Sequence, residues 1–182
     1  KAENVKDFEI EGISIGESLL KYISKNEIKK EIEITKNHYS YLEDPLKFRE
    51  VYFFSSEKNF KTYQTVSAMF EANDSNYTIL FIRGMIDYVE NLNGCLSKRD
   101  QIAREIENII TDYSKDEIEG LSRLDKTGKS ITKNIYYNFN SGDAILLVCN
   151  DWEENLRKKN NWTEGLSVVL RTNEVGIWLR GG

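Results

Sequence analysis

Apolar residues recur at helical spacing in two parts of the chain. Near the start the helically spaced positions are Ile15, Leu19, Leu20, Ile23, Ile28 and Ile32. In the middle of the chain a second set forms one apolar stripe, and the residues between its members are mostly charged. The stripe consists of Ile102, Ile106, Ile109, Ile110 and Tyr113. A period of three to four residues is typical of amphipathic helices. The pattern therefore predicts two short helices in succession near the start and one longer helix in the middle.

Capping boxes mark where these helices begin. SIGE at 14–17 and SKNE at 24–27 each place a serine three residues before a glutamate. In such a box the two side chains satisfy backbone amides that the first helical turn leaves unpaired. SKRD at 97–100 is a weaker version with a shorter acid and is predicted to open the long helix. SKDE at 114–117 is predicted to begin one further short turn.

Strand patterns occupy the intervals between the helices. Residues 48–54 are aromatic and β-branched, residues 63–70 alternate between two faces, and residues 77–88 are apolar on both faces. Alternation is typical of a half-buried strand, and apolar residues on both faces are typical of a central one. Residues 135–139 and 144–149 flank NSGD, which predicts a hairpin. Leu166, Val168 and Leu170 indicate another strand, and 173–178 a short helix or turn.

The order of elements is two helices and three strands, followed by one helix and three strands. This order predicts an α+β fold in which an antiparallel sheet carries helices packed on one face. The two halves share a plan, so a pseudo-repeat of two α-βββ units is a further hypothesis. No linker rich in Gly, Ser or Pro separates them, which favours a single domain over residues 1–182.

Composition narrows the class of protein. The chain has 182 residues, of which 40% are hydrophobic and 30% charged, and its formal net charge is −5. Proteins that bind nucleic acid usually carry a basic surplus, so we predict no nucleic-acid partner. The longest apolar run, AILLVC at 144–149, is far too short for a transmembrane helix and fits a buried strand. We therefore predict no transmembrane segment.

The segment KTGKS at 126–130 is similar to the end of a phosphate-binding loop. That motif needs a glycine five residues before Gly128, where this chain has Arg123, and it needs a strand before and a helix after. A strand is predicted after the segment instead, so we predict a polar turn in which Gly128 adopts a left-handed backbone angle. An alternative remains open, in which Lys126, Lys129 and Ser130 form a small anion-binding turn.

Two other features are candidates for chemistry. His38 is the only histidine and lies in a loop-like stretch, where a surface or capping role is the simplest interpretation. In CNDWEENLRKKNNW at 149–162, Asp151, Trp152 and Trp162 are candidates for lining a ligand groove, the alternative being one core tryptophan and solvated acids. Two cysteines and one histidine lack the paired spacing of a zinc site, so we predict no metal. The sequence has no recognisable nucleophile–base arrangement or cofactor motif, so we also predict no cofactor and no catalytic residue.

Several stretches together resemble a family of small exported proteins of Pelagibacter-type marine alphaproteobacteria. These stretches are FEIEGISIGESLLKYIS, GCLSKRDQIAREIENII, DKTGKS and SGDAILLVCNDW, and the likeness spans about 7–178. The resemblance implies a periplasmic or secreted protein in which Cys95 and Cys149 form a disulfide. A start at Lys1 without Met is expected of a mature product from which a signal peptide has been removed. The family implies no established activity.

Three functions remain open at this point. The first is an exported, non-catalytic binding or accessory protein whose partner is an envelope protein or a small ligand. The second is an enzyme of unrecognised type, in which Asp143 or Asp151 acts as an acid–base group and the Lys126–Lys129 turn holds an anionic substrate. The third is a structural or interaction module, since EGISIG is similar to the opening of small lipoproteins that assist outer-membrane assembly. The sequence leaves the oligomeric state undetermined.

Overall fold

A computed structural model describes residues 1–181 of the chain. Helices within this range are α1 (Lys25–Thr35), α2 (Ser55–Lys58), α3 (Leu92–Glu107), α4 (Glu154–Asn160) and α5 (Asn173–Leu179). A small two-stranded sheet consists of β1 (Glu9–Ile10) and β2 (Ile13–Ser14). The main sheet consists of β3 (Phe48–Phe54), β4 (Thr65–Glu71), β5 (Phe81–Asp87), β6 (Tyr113–Leu121), β7 (Ile131–Phe139), β8 (Ala144–Asp151) and β9 (Gly165–Arg171).

The main sheet is antiparallel throughout and is built from two meanders. Its seven strands follow the order β3-β4-β5-β9-β8-β7-β6. The first meander is β3 to β5, the second is β6 to β9, and α3 connects them. The meanders join where β5 pairs with β9, from Phe81 opposite Arg171 to Asp87 opposite Gly165. The last strand of the chain therefore lies at the centre of the sheet.

Side chains alternate between two faces of this sheet. We call one the core face, which carries Val51, Ala68, Ile82, Val168 and Leu147 within the large hydrophobic cluster. The other, which we call the outer face, carries Phe48, Met69, Phe81 and Val169, which form a second and smaller cluster with α5. Burial of both faces explains why the central strands are almost continuously apolar in sequence.

The helices cover the sheet unequally. Helix α3 packs on β8 and β9, and α1 packs along the edge strand β3. There the Glu31 carboxylate accepts a hydrogen bond from the Tyr52 amide at 3.3 Å, and the Thr35 hydroxyl donates to the Glu50 carbonyl at 2.7 Å. Helix α5 lies on the outer face, where the Trp178 indole donates to the Asp44 carbonyl at 2.7 Å. The edge strand and part of the outer face are thus covered.

The predicted α+β class is confirmed, and several elements match closely. The SKNE box caps α1, since the Ser24 and Glu27 side chains each accept the backbone amide of the other. The hairpin through NSGD joins β7 to β8 as expected. The helix predicted from SKRD exists but begins earlier, at Leu92, because the Asn91 side chain caps it by accepting from the Gly94 amide. Within residues 1–181, no helix has both the length and the apolar character required to cross a bilayer.

Two predictions of local structure are wrong. SIGE does not open a helix: Ile13–Ser14 is strand β2, and only a single 3₁₀ turn follows at Leu19–Lys21. SKDE belongs to β6, a nine-residue edge strand that is exposed along most of its length. Charged residues on such an edge discourage pairing with another chain, so the polar sequence is compatible with a strand there. The second half therefore has four strands where three were predicted.

Candidate functional site

The KTGKS turn folds around a carboxylate of its own chain. The buried Asp125 side chain accepts hydrogen bonds from the Thr127 amide at 2.7 Å and from the Ser130 amide at 2.8 Å. It also accepts from the Ser130 hydroxyl at 2.6 Å. Gly128 has φ of +71°, the left-handed angle that the turn was expected to need. Asp125 thus occupies the place that an external anion would take in a phosphate-binding loop.

The three residues predicted to hold an anion differ in whether their side chains can reach one from solvent. Ser130 is fully buried, and its hydroxyl oxygen accepts a hydrogen bond from the Glu153 amide at 2.8 Å. The hydroxyl of Ser130 and the amides around it hold the pKa of Asp125 well below its ordinary value. Lys126 and Lys129 are exposed. Any anion binding at this turn would therefore depend on the two lysine side chains, and it stays a prediction.

Replacing Asp125 with asparagine should loosen this turn. The asparagine side chain keeps the shape but loses the charge that four donors address, so the Thr127 and Ser130 amides should exchange faster with deuterium. Hydrogen exchange measured by NMR provides the test. Lys126→Gln, a change on the same turn, should leave those amides as protected as in the unsubstituted protein. Equal exchange rates in the two variants would contradict the assigned role of the carboxylate.

The two tryptophans of the predicted ligand groove are in contact. The Trp152 and Trp162 ring centroids are 4.6 Å apart, and the Trp152 indole donates to the Thr163 carbonyl at 3.0 Å. Helix α4 lies between them in sequence and brings the rings together at one end of β8 and β9. Asp151 pairs with Ile131, so the tryptophans and the KTGKS turn lie at the same end of the sheet. Both rings are half-buried, and their lining of a ligand groove stays a prediction.

The carboxylates considered for acid–base chemistry lie far apart. Asp143 precedes β8 and Asp151 ends it. At the rise of an extended strand, eight residues separate their Cα atoms by about 26 Å. Asp143 is instead used at the start of α5, where it accepts from the Asn173 amide at 2.9 Å. The two aspartates therefore cannot act as a pair on one small substrate.

A buried polar cluster on the outer face was not predicted from the sequence. Its centre is Glu50 on β3, whose side chain is 1% exposed. Arg83 on β5 donates to the Glu50 carboxylate at 2.8 Å. The Tyr39 hydroxyl donates to the other carboxylate oxygen at 2.8 Å, and the Tyr52 hydroxyl to the same oxygen at 3.2 Å. Arg83 also donates to the Tyr52 hydroxyl at 2.9 Å and the Ser67 hydroxyl at 3.3 Å.

The charges in this cluster are fixed near neutral pH. Burial by itself would raise the pKa of Glu50, but the Arg83 guanidinium and the hydroxyl donors lower it to about 2. Burial raises the pKa of both Tyr39 and Tyr52, and the Glu50 charge raises them further. The carboxylate therefore stays ionised and the phenols stay protonated over the physiological range. Such a set of groups positions the surrounding chain and does not supply a proton donor or acceptor at pH 7.

His38 lies at the margin of this cluster. Its Nδ1 atom is 3.9 Å from the Glu50 carboxylate, and its ring packs edge-on against Tyr52 at 5.8 Å. The side chain is 44% exposed, as expected for a surface histidine. Ser67, the serine of the cluster, is fully buried and accepts a hydrogen bond from Arg83. The histidine thus joins the residues that fasten the loop at 36–47 to the sheet.

Comparison with protein-family models, curated proteins and solved structures gives no match.

The disulfide implied by the family resemblance has the required geometry. The Cys95 and Cys149 sulfur atoms are 1.96 Å apart and their Cα atoms 6.0 Å apart. Both residues are buried in the core, where they connect α3 to β8. Among residues 1–181, the side chains of His, Cys, Asp and Glu form no group of three that could hold a metal ion.

Part of the outer face remains partly open beside α5. We call this region the open patch and define it by Tyr136, Leu146, Val148 and Ser167, which are all half-buried. The strand registers place Tyr52, Ser67, Arg83, Val169, Leu146 and Tyr136 in one row across the sheet. The open patch therefore continues directly from the buried polar cluster. It combines apolar surface with a phenol and a hydroxyl on a rigid element.

Proposed function

We propose that the protein is an exported, disulfide-bonded binding protein without catalytic activity, and that it holds a small ligand on the open patch. The observation that carries this proposal is the saturated cluster around Glu50, next to a partly uncovered sheet face. The Glu50 carboxylate and the Tyr39 and Tyr52 hydroxyls that donate to it have pKa values held away from neutral pH, so these groups stabilise a surface and do not exchange protons at pH 7. Binding sites of this kind commonly combine apolar walls with a few fixed polar groups.

A small ligand fits the open patch better than a large protein partner. Stable protein interfaces usually bury about 800 Å² on each partner, spread over some 20 to 30 residues. The open patch has four defining side chains and is bounded on one side by α5. The small number of side chains in the patch therefore favours a small ligand.

The binding proposal predicts a specific loss on substitution in the open patch. A thermal-shift screen of small acids, amines, amino acids and sugars should yield compounds that raise the melting temperature of the purified oxidised protein. Leu146→Glu places a charge in the patch and should abolish those shifts. Leu124→Glu, at an exposed leucine two residues before the KTGKS segment, is the matched control and should retain them. Unchanged shifts in Leu146→Glu, or a tight protein partner recovered in place of a small ligand, would contradict the proposal.

Export is supported by the disulfide, because such bonds persist mainly in oxidising compartments. The family resemblance points in the same direction. The direct test is fractionation of the native cells after acid quenching and thiol alkylation. We expect the protein in the periplasmic or secreted fraction with both cysteines protected from alkylation. Recovery from the cytoplasm with both thiols alkylated would overturn this part of the proposal.

A further inference from the structure

The junction between β9 and α5 holds two buried polar atoms that lack partners. These are Nη1 of Arg171 and Oγ1 of Thr172, for which residues 1–181 supply no hydrogen-bond partner. Arg171 is 94% buried, with 6% of its surface exposed. Folded proteins pair nearly all such groups, and an exception calls for an explanation such as a bound ion. The unpaired guanidinium nitrogen of Arg171 points to a missing acceptor.

The contrast with Arg83 shows what a satisfied arginine looks like on this sheet. Arg171 lies opposite Phe81 on the outer face, and Arg83 is two residues farther along β5 on the same face. Such diagonal neighbours are about 7 to 8 Å apart. Arg83 is paired with the buried Glu50 carboxylate at 2.8 Å. Arg171 has no such partner at Nη1. The same sheet face therefore holds one guanidinium with a carboxylate partner and one without.

Helix α5 is shaped to admit the Arg171 guanidinium. A Cβ atom on Gly176 would lie 1.3 Å from Nη1, so no side chain other than the hydrogen of glycine fits at that position. Burial and the nearby positive charge of Arg180 both lower the pKa of Arg171, while Tyr136 and Asp143 oppose this. Two arginines and one aspartate leave this junction with an excess of one positive charge. A single bound monoanion would neutralise it.

The neighbouring residues indicate what kind of monoanion fits. A guanidinium presents a planar pair of donors that matches a carboxylate. Leu146 of the open patch is the diagonal neighbour of Arg171 across β8, and Tyr136 lies beside Leu146. Apolar surface thus begins one residue row away from the charged group.

We propose that this junction binds an organic carboxylate, with the carboxylate on Arg171 and an apolar body across Leu146 and Tyr136. The inference rests on the proposed function in one respect, since the body of the ligand occupies the open patch. The carboxylate supplies the missing acceptor for Arg171 Nη1 and the missing negative charge. A neutral compound with the same body supplies neither and should bind far more weakly.

Thermal unfolding of the oxidised protein with hexanoate as the probe tests this inference. The melting temperature should rise with hexanoate, rise less with acetate, and stay unchanged with hexanamide, which has the same body without the charge. Arg171→Met should fold with an unchanged or higher melting temperature in the absence of the probe, because a buried unpaired charge is removed. It should bind hexanoate at least about tenfold more weakly, as expected when a charged hydrogen bond is lost. Arg123→Gln removes an exposed arginine and should bind hexanoate normally.

Each outcome of this experiment has a defined meaning. Absence of any carboxylate effect, or equal hexanoate affinity in Arg171→Met, would overturn the inference. If Arg171→Met abolishes binding and Leu146→Glu does not, the carboxylate site stands and the placement of the ligand body on the open patch fails. If Arg171→Met does not fold, Arg171→Lys provides the second test. It keeps the charge but loses the paired donors, so its hexanoate affinity should fall while its acetate affinity changes less.

Discussion

Replacing Cys95 and Cys149 together with alanine should lower the free energy of unfolding by about 4 kcal/mol. The bond closes a loop between residues 54 positions apart and so restricts the unfolded chain. Both side chains are buried between α3 and β8, which is the contact that holds the long helix against the second meander. Loss of the bond should therefore weaken the docking of α3 in addition to freeing the unfolded state.

Urea denaturation with and without a reducing agent measures this effect. Reduction should bring the unsubstituted protein to about the stability of the double variant, whereas the variant itself should not respond to the reducing agent. Intact mass of the purified protein should show two hydrogens fewer than the free-thiol form. Two titratable thiols in the unfolded protein, or stability that is insensitive to reduction, would show that the bond does not form.

The sequence predicts best where one local signal decides the structure. The capping box at Ser24 and the apolar spacing of Ile28 and Ile32 are sufficient for α1, because both act within a few residues. The NSGD hairpin follows for the same reason. Strand β6 could not be recognised, because its position at the sheet edge leaves it exposed and removes the alternation that identifies a strand. Its polar residues are compatible with the start of a helix and with an edge strand. Only the pairing with β7, which the local sequence does not reveal, makes this segment a strand.

The candidate sites show the same distinction. The tryptophan pair was predictable because both residues flank one short connection between adjacent strands. The Glu50 cluster was not, because Glu50 and Arg83 are 33 residues apart and meet only through the registers of β3, β4 and β5. A signal did exist: Glu50 and Arg83 each stand between apolar or aromatic residues two positions away on the same strand face. Since an unpaired buried charge is strongly unfavourable, two such charges of opposite sign predict a pair.

Substitution of Glu50 should have an effect as large as loss of the disulfide. Glu50→Gln leaves the half-buried Arg83 guanidinium, whose side chain is 25% exposed, without its counter-ion. Because removing one partner of a buried ion pair costs about 3–5 kcal/mol of folding free energy, we expect a loss of about 3 kcal/mol for this partly exposed one. Replacing both residues, as in Glu50→Leu with Arg83→Met, should recover most of the loss, because no uncompensated charge remains. Glu33→Gln removes an exposed glutamate that pairs with Lys36 on the surface, and it should change stability by less than about 1 kcal/mol.

The pH dependence of stability provides an independent measure of the same pair. The folded state lowers the pKa of Glu50 from 4.5 to about 2, so it favours the ionised form relative to the unfolded chain. The resulting stabilisation, about 3 kcal/mol, is fully present above pH 4.5 and is lost as the pH falls from 4.5 towards 2. Glu50→Gln should lack this component of acid destabilisation, because glutamine does not titrate. Tyr39 and Tyr52 stay protonated throughout this range and cannot imitate it. Parallel acid-unfolding curves for the Gln variant and the unsubstituted protein would therefore show that the Glu50–Arg83 pair does not stabilise the outer face.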